Sequence, residues 1–236
     1  VKRLLPFICG FLVCINVALA ADTLVFNDAF TATDGTAITS HTPNTGTSWV
    51  EVIDVDGAQD ILINSNLADA SDCGLSDGIL VRANATYNSA DYYVQMSNPT
   101  VDTGDDTTVI AIRIQDANNM YAMHYIDGQG ILYEKVTGTW TALESVQSNA
   151  NITSGNIIYL EANGSTISWG YGDRNAGTHT EITSLTDTSI SAAGYGGFGF
   201  GAVINASNDC SAQQVDNFAV YEIDAGTTDY TQGYIF

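Results

Sequence analysis

Residues 107–137 read TTVIAIRIQDANNMYAMHYIDGQGILYEKVT, and this run decides the fold class. Thr107 to Gln115 alternates, with Ile110, Ile112 and Ile114 on one face and Val109, Ala111 and Arg113 on the other. Met120 to Ile126 places Tyr121, Met123 and Tyr125 on one side, and Asp127-Gly128 then supplies a hairpin turn into Ile131 to Thr137. A period of two, rich in β-branched and aromatic residues and punctuated by a turn dipeptide, predicts antiparallel strands.

The same pattern repeats outward in both directions. Gly138 breaks the chain before Thr139 to Val146, and Asn163-Gly164 joins the segment Ile157 to Glu161 to the segment Thr166 to Trp169. Further strands are predicted over Leu24 to Phe30, Trp49 to Val55, Ile61 to Asn64, Ile79 to Ala83, Tyr92 to Met96, Tyr195 to Val203 and Val215 to Ile223. No segment after Thr23 sustains a 3.6-residue period with helix caps. Roughly a dozen short strands imply an antiparallel sandwich or barrel, with two sheets that bury their apolar faces against each other. Gly194, Gly196, Gly197, Gly199 and Gly201 alternate with Tyr195, Phe198 and Phe200, which predicts a strand that bends strongly or is closely approached by another backbone.

Composition narrows the function. The 236 residues carry 27 acidic and 6 basic side chains, a formal charge of -21, which excludes binding to nucleic acid or to an anionic membrane surface through a basic patch. With 45% apolar and only 14% charged residues the chain has enough hydrophobic material for a core. Residues 1–20 read as a secretory signal peptide: Lys2-Arg3, an apolar run from Leu4 to Val17, then the small-x-small pattern Ala18-Leu19-Ala20. The run is short for a membrane span and carries Pro6, Gly10 and Asn16, so no span is expected in the mature form. Loss of Lys2 and Arg3 takes the net charge from -21 to -23. The expected organisation is a leader at 1–20, one domain at 21–224 and an extended tail at 225–236, in a protein that is secreted or displayed on a cell surface.

Export also frames the cysteines. Cys9 and Cys14 leave with the leader, and Cys73 and Cys210 remain as one pair in an oxidising compartment, where a disulfide is expected in preference to two free thiols. It would close a loop of more than 100 residues, worth ~4 to 5 kcal/mol in the chain-entropy account.

Three motifs then carry a family resemblance. Phe26-Asn27-Asp28-Ala29-Phe30 with Asp34-Gly35-Thr36 and the segment His41 to Trp49, the run Arg113 to Tyr121 with Gly138-Thr139-Trp140, and Val215-Asp216-Asn217-Phe218-Ala219-Val220 together resemble the laminin-G-like, concanavalin-A-like modules of secreted bacterial proteins. The resemblance spans roughly residues 23–223 and implies an all-β, antiparallel two-sheet jelly-roll sandwich. It implies little about function, because this scaffold serves lectins, hydrolases, adhesins and spacers alike.

Candidate sites follow from residue types. Asp54, Asp56 and Asp60, and separately Asp102, Asp105 and Asp106, offer clustered oxygens for calcium, against the simpler reading of solvated turns. Asn84, Asn151, Asn163 and Asn205 head Asn-x-Ser/Thr sequons, candidate glycosylation sites. Glu222-Ile223-Asp224 begins the Glu-x-Asp-x-x-Glu pattern of laminarinase-type glycoside hydrolases, but Thr227 stands where the third carboxylate belongs. His41, His124 and His179 are accompanied by no nucleophile elbow. Tyr230, Tyr234 and Phe236 fall on one side of the tail, as a strand that could join a neighbouring subunit's sheet. The main expectation is therefore a non-enzymatic structural subunit that self-associates into an extracellular fibre, sheath or surface layer. The alternative is a carbohydrate-binding module or adhesin, with Trp49, Trp140 and Trp169 as candidate sugar platforms; a glycoside hydrolase is the third reading.

Overall fold

The computed structural model describes residues 21–55, 60–70, 77–97, 107–126, 128–148, 155–204 and 213–224. In chain order the first strands are β1 (Thr23–Asp28), β2 (Thr36–Ala37), β3 (Ser48–Asp54), β4 (Leu62–Asn64), β5 (Leu67–Asp69), β6 (Gly78–Asn84), β7 (Tyr92–Ser97) and β8 (Thr108–Asp116). They continue with β9 (Asn119–Ile126), β10 (Gln129–Val136), β11 (Thr139–Ala142), β12 (Gln147–Ser148) and β13 (Ile157–Asn163). The last are β14 (Thr166–Asp173), β15 (Thr178–Thr186), β16 (Tyr195–Gly201) and β17 (Gln214–Glu222). One single-turn 3-10 helix, Ile38–Ser40, follows β2.

These strands form the two-sheet antiparallel jelly-roll sandwich that the sequence predicts. Sheet I has the order β15-β14-β13-β7-β17-β5-β4-β2, with β1 also paired to β17. Sheet II has the order β11-β10-β9-β8-β16-β6-β3, with β12 also paired to β10. The closing strand β17 lies between the first strand and β7, in register Phe26 to Val220 and Val220 to Val94.

The inner faces interdigitate around an aromatic nucleus. Trp49 meets Phe26 at 4.8 Å, Phe218 at 4.9 Å and Phe198 at 5.1 Å between ring centroids, mostly edge to face. Ile110, Ile112, Tyr121, Met123 and Tyr125 join this core as the alternation requires. Gly197 and Gly199 also behave as expected: a Cβ on them would lie 2.2 Å from the Val81 carbonyl oxygen and 2.3 Å from that of Ile79, so β16 can run beside β6 only without side chains there.

One facing assignment is corrected. Ile114 does not share a face with Ile110 and Ile112; it packs with Val109, Ala111, Leu80, Met120 and Ala122 in a second cluster on the opposite side of sheet II. Arg113 adopts φ +48°, and the β8–β9 register shifts between Ile112 and Asp116, so a bulge reverses the alternation. The bulge is fixed by the buried guanidinium, which donates to the carbonyls of Ile190 at 2.9 Å, Gly164 at 2.7 Å and Ala90 at 3.1 Å.

Candidate functional site

The outward face of sheet I is built by strict alternation. Tyr92, Val94 and Met96 of β7, and Ile158, Leu160 and Ala162 of β13, point into the core. Their neighbours Tyr93, Gln95, Tyr159 and Glu161 therefore point away from it, where a sheet ordinarily meets water, yet all four are less than one-tenth exposed. The turn that follows β14 folds back and covers them. The strand approaches this turn through Gly172, whose φ of +95° and whose contact, 2.4 Å from a would-be Cβ to the Thr178 carbonyl, exclude other residues.

Arg174 in that turn organises the face. Its Nε donates to Glu161 Oε2 at 2.7 Å, Asp22 lies 4.0 Å from a terminal nitrogen, and the guanidinium sits 5.1 Å over the Tyr93 ring. Tyr93 in turn stacks on Tyr221 at 5.1 Å with planes 14° apart. The Arg174 backbone N–H donates to Gln95 Oε1, and Gln95 Nε2 donates to Asp173 Oδ1, both at 3.2 Å. Arg174 thus acts twice: its guanidinium pairs with Glu161 and covers the Tyr93 ring, and its backbone holds the Gln95 amide, which in turn bonds Asp173. Burial, and after it the neighbouring Asp22 carboxylate, push the Tyr93 phenol above its ordinary range; burial and then Asp173 do the same to Tyr221.

Beside this platform runs a groove of about 590 Å³, within the usual size of small-ligand sites. Gln95, Ser97, Asp173, Asp216, Asn217 and Tyr221 line it, with Asn27 and Asp28 from the end of β1. Asp216 accepts from the Asn217 backbone N–H at 2.8 Å and its Nδ2 at 2.6 Å, and Ser97 Oγ donates to the Asp216 carbonyl at 2.9 Å. Burial raises the Asp216 carboxyl above its ordinary value. Chemically, the groove presents amides, carboxylates and hydroxyls along one wall and a fixed tyrosine ring at its side.

None of these lining residues was singled out as a site from sequence. The signal that existed was a Tyr-x-Gln-x-Ser alternation in β7, legible as a polar face but silent about what covers it. The tryptophans weighed as platforms lie elsewhere. Trp49 and Trp169 are core residues, 2% and 0% exposed, with their indole N–H groups donated to Asp28 at 2.7 Å and Glu144 at 2.7 Å. Trp140 is half-buried on sheet II and donates to the Val203 carbonyl at 3.1 Å.

The histidines serve the fold. His41 Nε2 bonds to Asp28 at 3.0 Å, tying the opening loop to β1. His124 is buried, and desolvation lowers its pKa to about 4; His179 meets the Tyr159 ring edge-on at 5.2 Å. Glu222 accepts from the Ser89 N–H at 3.0 Å and from the Asn88 N–H, anchoring a loop. Of the calcium candidates, Asp54 and Asp60 are described, and both raise the Glu51 carboxyl, though less than its burial does. Among the described residues no group of three or more His, Cys, Asp and Glu side chains is arranged to hold a metal ion. Asp56, Asp102, Asp105, Asp106, Cys73, Cys210, Asn151, Asn205, Tyr230, Tyr234 and Phe236 lie outside the described residues. Asn163 is exposed at the β13–β14 hairpin, whereas Asn84 is partly buried with its Nδ2 donated to Ser48 Oγ at 3.2 Å. Among the described residues no helix is long and apolar enough to cross a membrane.

No protein-family model and no curated protein sequence matches the chain. Solved structures do match its fold. The exoplasmic/lumenal domain of VIP36 in its Ca2+/Man-bound form aligns with a TM-score of 0.52 and 10% identity, over 82% of this chain and 87% of that one. The CBM2 module of the evolved Dit protein from Lactobacillus casei BL23 phage J-1 gives 0.51 and 11%, over 86% and 98%. A legume lectin-like domain from Entamoeba histolytica gives 0.50 and 9%, over 75% and 90%. The chain thus shares with these structures its fold, a two-sheet antiparallel β-sandwich.

Proposed function

We propose that this chain is a secreted, non-enzymatic glycan-binding module of the laminin-G-like type, and that the groove on sheet I is its binding site. The observation that carries the reading is the preformed wall of Gln95, Asp173, Asp216 and Asn217 beside the Tyr221–Tyr93 stack. Such a surface offers hydrogen bonds to sugar hydroxyls and a flat ring to the apolar face of a pyranose. Glycan-binding neighbours on the same scaffold support it, VIP36 with Man bound and the phage CBM2 module among them. The groove carboxylates are already engaged by donors, Asp28 by the Trp49 indole N–H, Asp173 by Gln95 and the Ala176 N–H, and Asp216 by Asn217, which suits ligand positioning more than proton transfer. The basic start, apolar run and Ala18-Leu19-Ala20 pattern of residues 1–20 support a location outside the cytoplasm. Assembly into a fibre rests on Tyr230, Tyr234 and Phe236, and no described residue favours it over the groove.

Affinity electrophoresis of the secreted protein through gels containing a panel of polysaccharides tests this. At least one polysaccharide is expected to retard the chain, Tyr221→Ala is expected to weaken that retardation by about tenfold or more, and no reducing ends should be released on prolonged incubation. Retardation by none, or retardation that Tyr221→Ala leaves unchanged, overturns the reading.

A further inference from the structure

We propose that the groove accepts neutral, hydroxyl-bearing glycans and excludes acidic ones, whether carboxylated or sulfated. The inference rests on the glycan-binding reading and adds the ligand's charge class. The ionisable side chains lining the groove are Asp28, Asp173, Asp216 and the Tyr221 phenol; among the described residues no Lys, Arg or His lines it. Asp28 is turned away by its bonds to His41 and Trp49, which leaves Asp173 and Asp216 as the charges a ligand meets.

No cation stands ready elsewhere to compensate. Only Arg82, Arg113, Lys135 and Arg174 follow residue 20. Arg82 lies 3.6 Å over the Tyr195 ring, Arg113 is buried among backbone carbonyls, Lys135 sits 5.0 Å over Trp140, and Arg174 is paired with Glu161. Of the histidines, His124 is held neutral by burial, His41 is bonded to Asp28 and His179 packs on Tyr159. A uronate or sulfate seated on Tyr221 would therefore face carboxylates with nothing to neutralise it, in a chain already at -21. A neutral sugar meets the opposite situation, because hydroxyls donate to Asp173 and Asp216 and accept from the Asn217 and Gln95 amides.

The test runs the secreted protein through gels carrying a neutral β-glucan, a neutral mannan, alginate or a sulfated galactan, each at roughly 0.05 M and roughly 0.5 M salt. Repulsion by the whole chain is screened at the higher salt, whereas contact repulsion inside the groove is not. At least one neutral gel should retard the protein in a Tyr221-dependent way, and both acidic gels should bind at least about tenfold more weakly at both salts. The double variant Asp173→Asn, Asp216→Asn should raise the ratio of acidic to neutral binding. Tyr221-dependent binding of alginate or the sulfated galactan as tight as that of a neutral glycan overturns the inference, as does an exclusion that vanishes at 0.5 M salt. Failure of every polysaccharide to bind overturns the glycan reading itself.

Discussion

The outward faces of the two sheets started from the same alternation and ended as different objects. On sheet II the outward residues Leu80, Val109, Ala111, Met120 and Ala122 are apolar and fully buried, and Trp140, Val203 and Ile204 pack against them. On sheet I the outward residues Tyr93, Gln95, Tyr159 and Glu161 are also buried, but they carry polar groups; Arg174 pairs with Glu161, bonds Gln95 through its backbone N–H and covers the Tyr93 ring, while Tyr159 packs on His179. The first face closed into a satellite core. The second became a rigid wall with a groove beside it, because hydrogen bonds between polar side chains have fixed directions and leave space that apolar packing would fill.

The contrast is broken most severely by putting charge where sheet II is apolar. Ala111→Asp places an unpaired carboxylate in the satellite core and should cost at least about 3 kcal/mol in a denaturant titration, while Tyr221→Ala, on the partly exposed groove wall, should cost roughly 1 kcal/mol. Equal losses would mean that the two faces are not different in kind.

Arg174→Ala comes next. It leaves Glu161 buried without its partner, for a loss of about 3 kcal/mol, and glycan retardation should fall with it because the Tyr93 ring, on which Tyr221 stacks, loses the guanidinium that covers it. Arg174→Lys keeps the charge but not the Nε bond or the flat stack on Tyr93, so it should lie between the two. Full glycan binding in Arg174→Ala would show that the turn covers the face without organising it.

The last effect concerns pH. His124 belongs to the apolar face, and burial lowers its pKa from 6.5 to about 4. The unfolded chain takes up this proton near pH 6.5 and the folded chain only near pH 4, so stability is complete above that window and is lost as pH falls through it. The full loss is on the order of 3 kcal/mol, about two-thirds of it by pH 5. The thermal midpoint should therefore drop between about pH 7 and about pH 5, and drop less in His124→Gln; parallel slopes would remove His124 from the cause.

Several features were legible because they are local. Asn163-Gly164 specifies its hairpin through the φ of +58° that Gly164 adopts, and the paired glycines of β16 announce the close approach to β6. The strand β15 was not legible. Its sequence, Thr-His-Thr-Glu-Ile-Thr-Ser-Leu-Thr, offers no apolar alternation, and it is a strand because β14 pairs along its length from Thr166 to Asp173. The bulge at Arg113 escaped for a related reason: the carbonyls that hold the guanidinium come from residues 51 and 77 positions away.

The sequence by itself determined the period of the strands, their turns, and the acidic balance that leaves four Lys and Arg residues after residue 20. These depend on backbone sterics and side-chain type, which each residue carries with it. The tertiary structure alone decided which outward face closed and which became a wall. Gln95 and Asp173, 78 residues apart, meet only because β13 brings β7 and β14 to its two sides in one sheet, and a period of two names two faces without saying what will cover either.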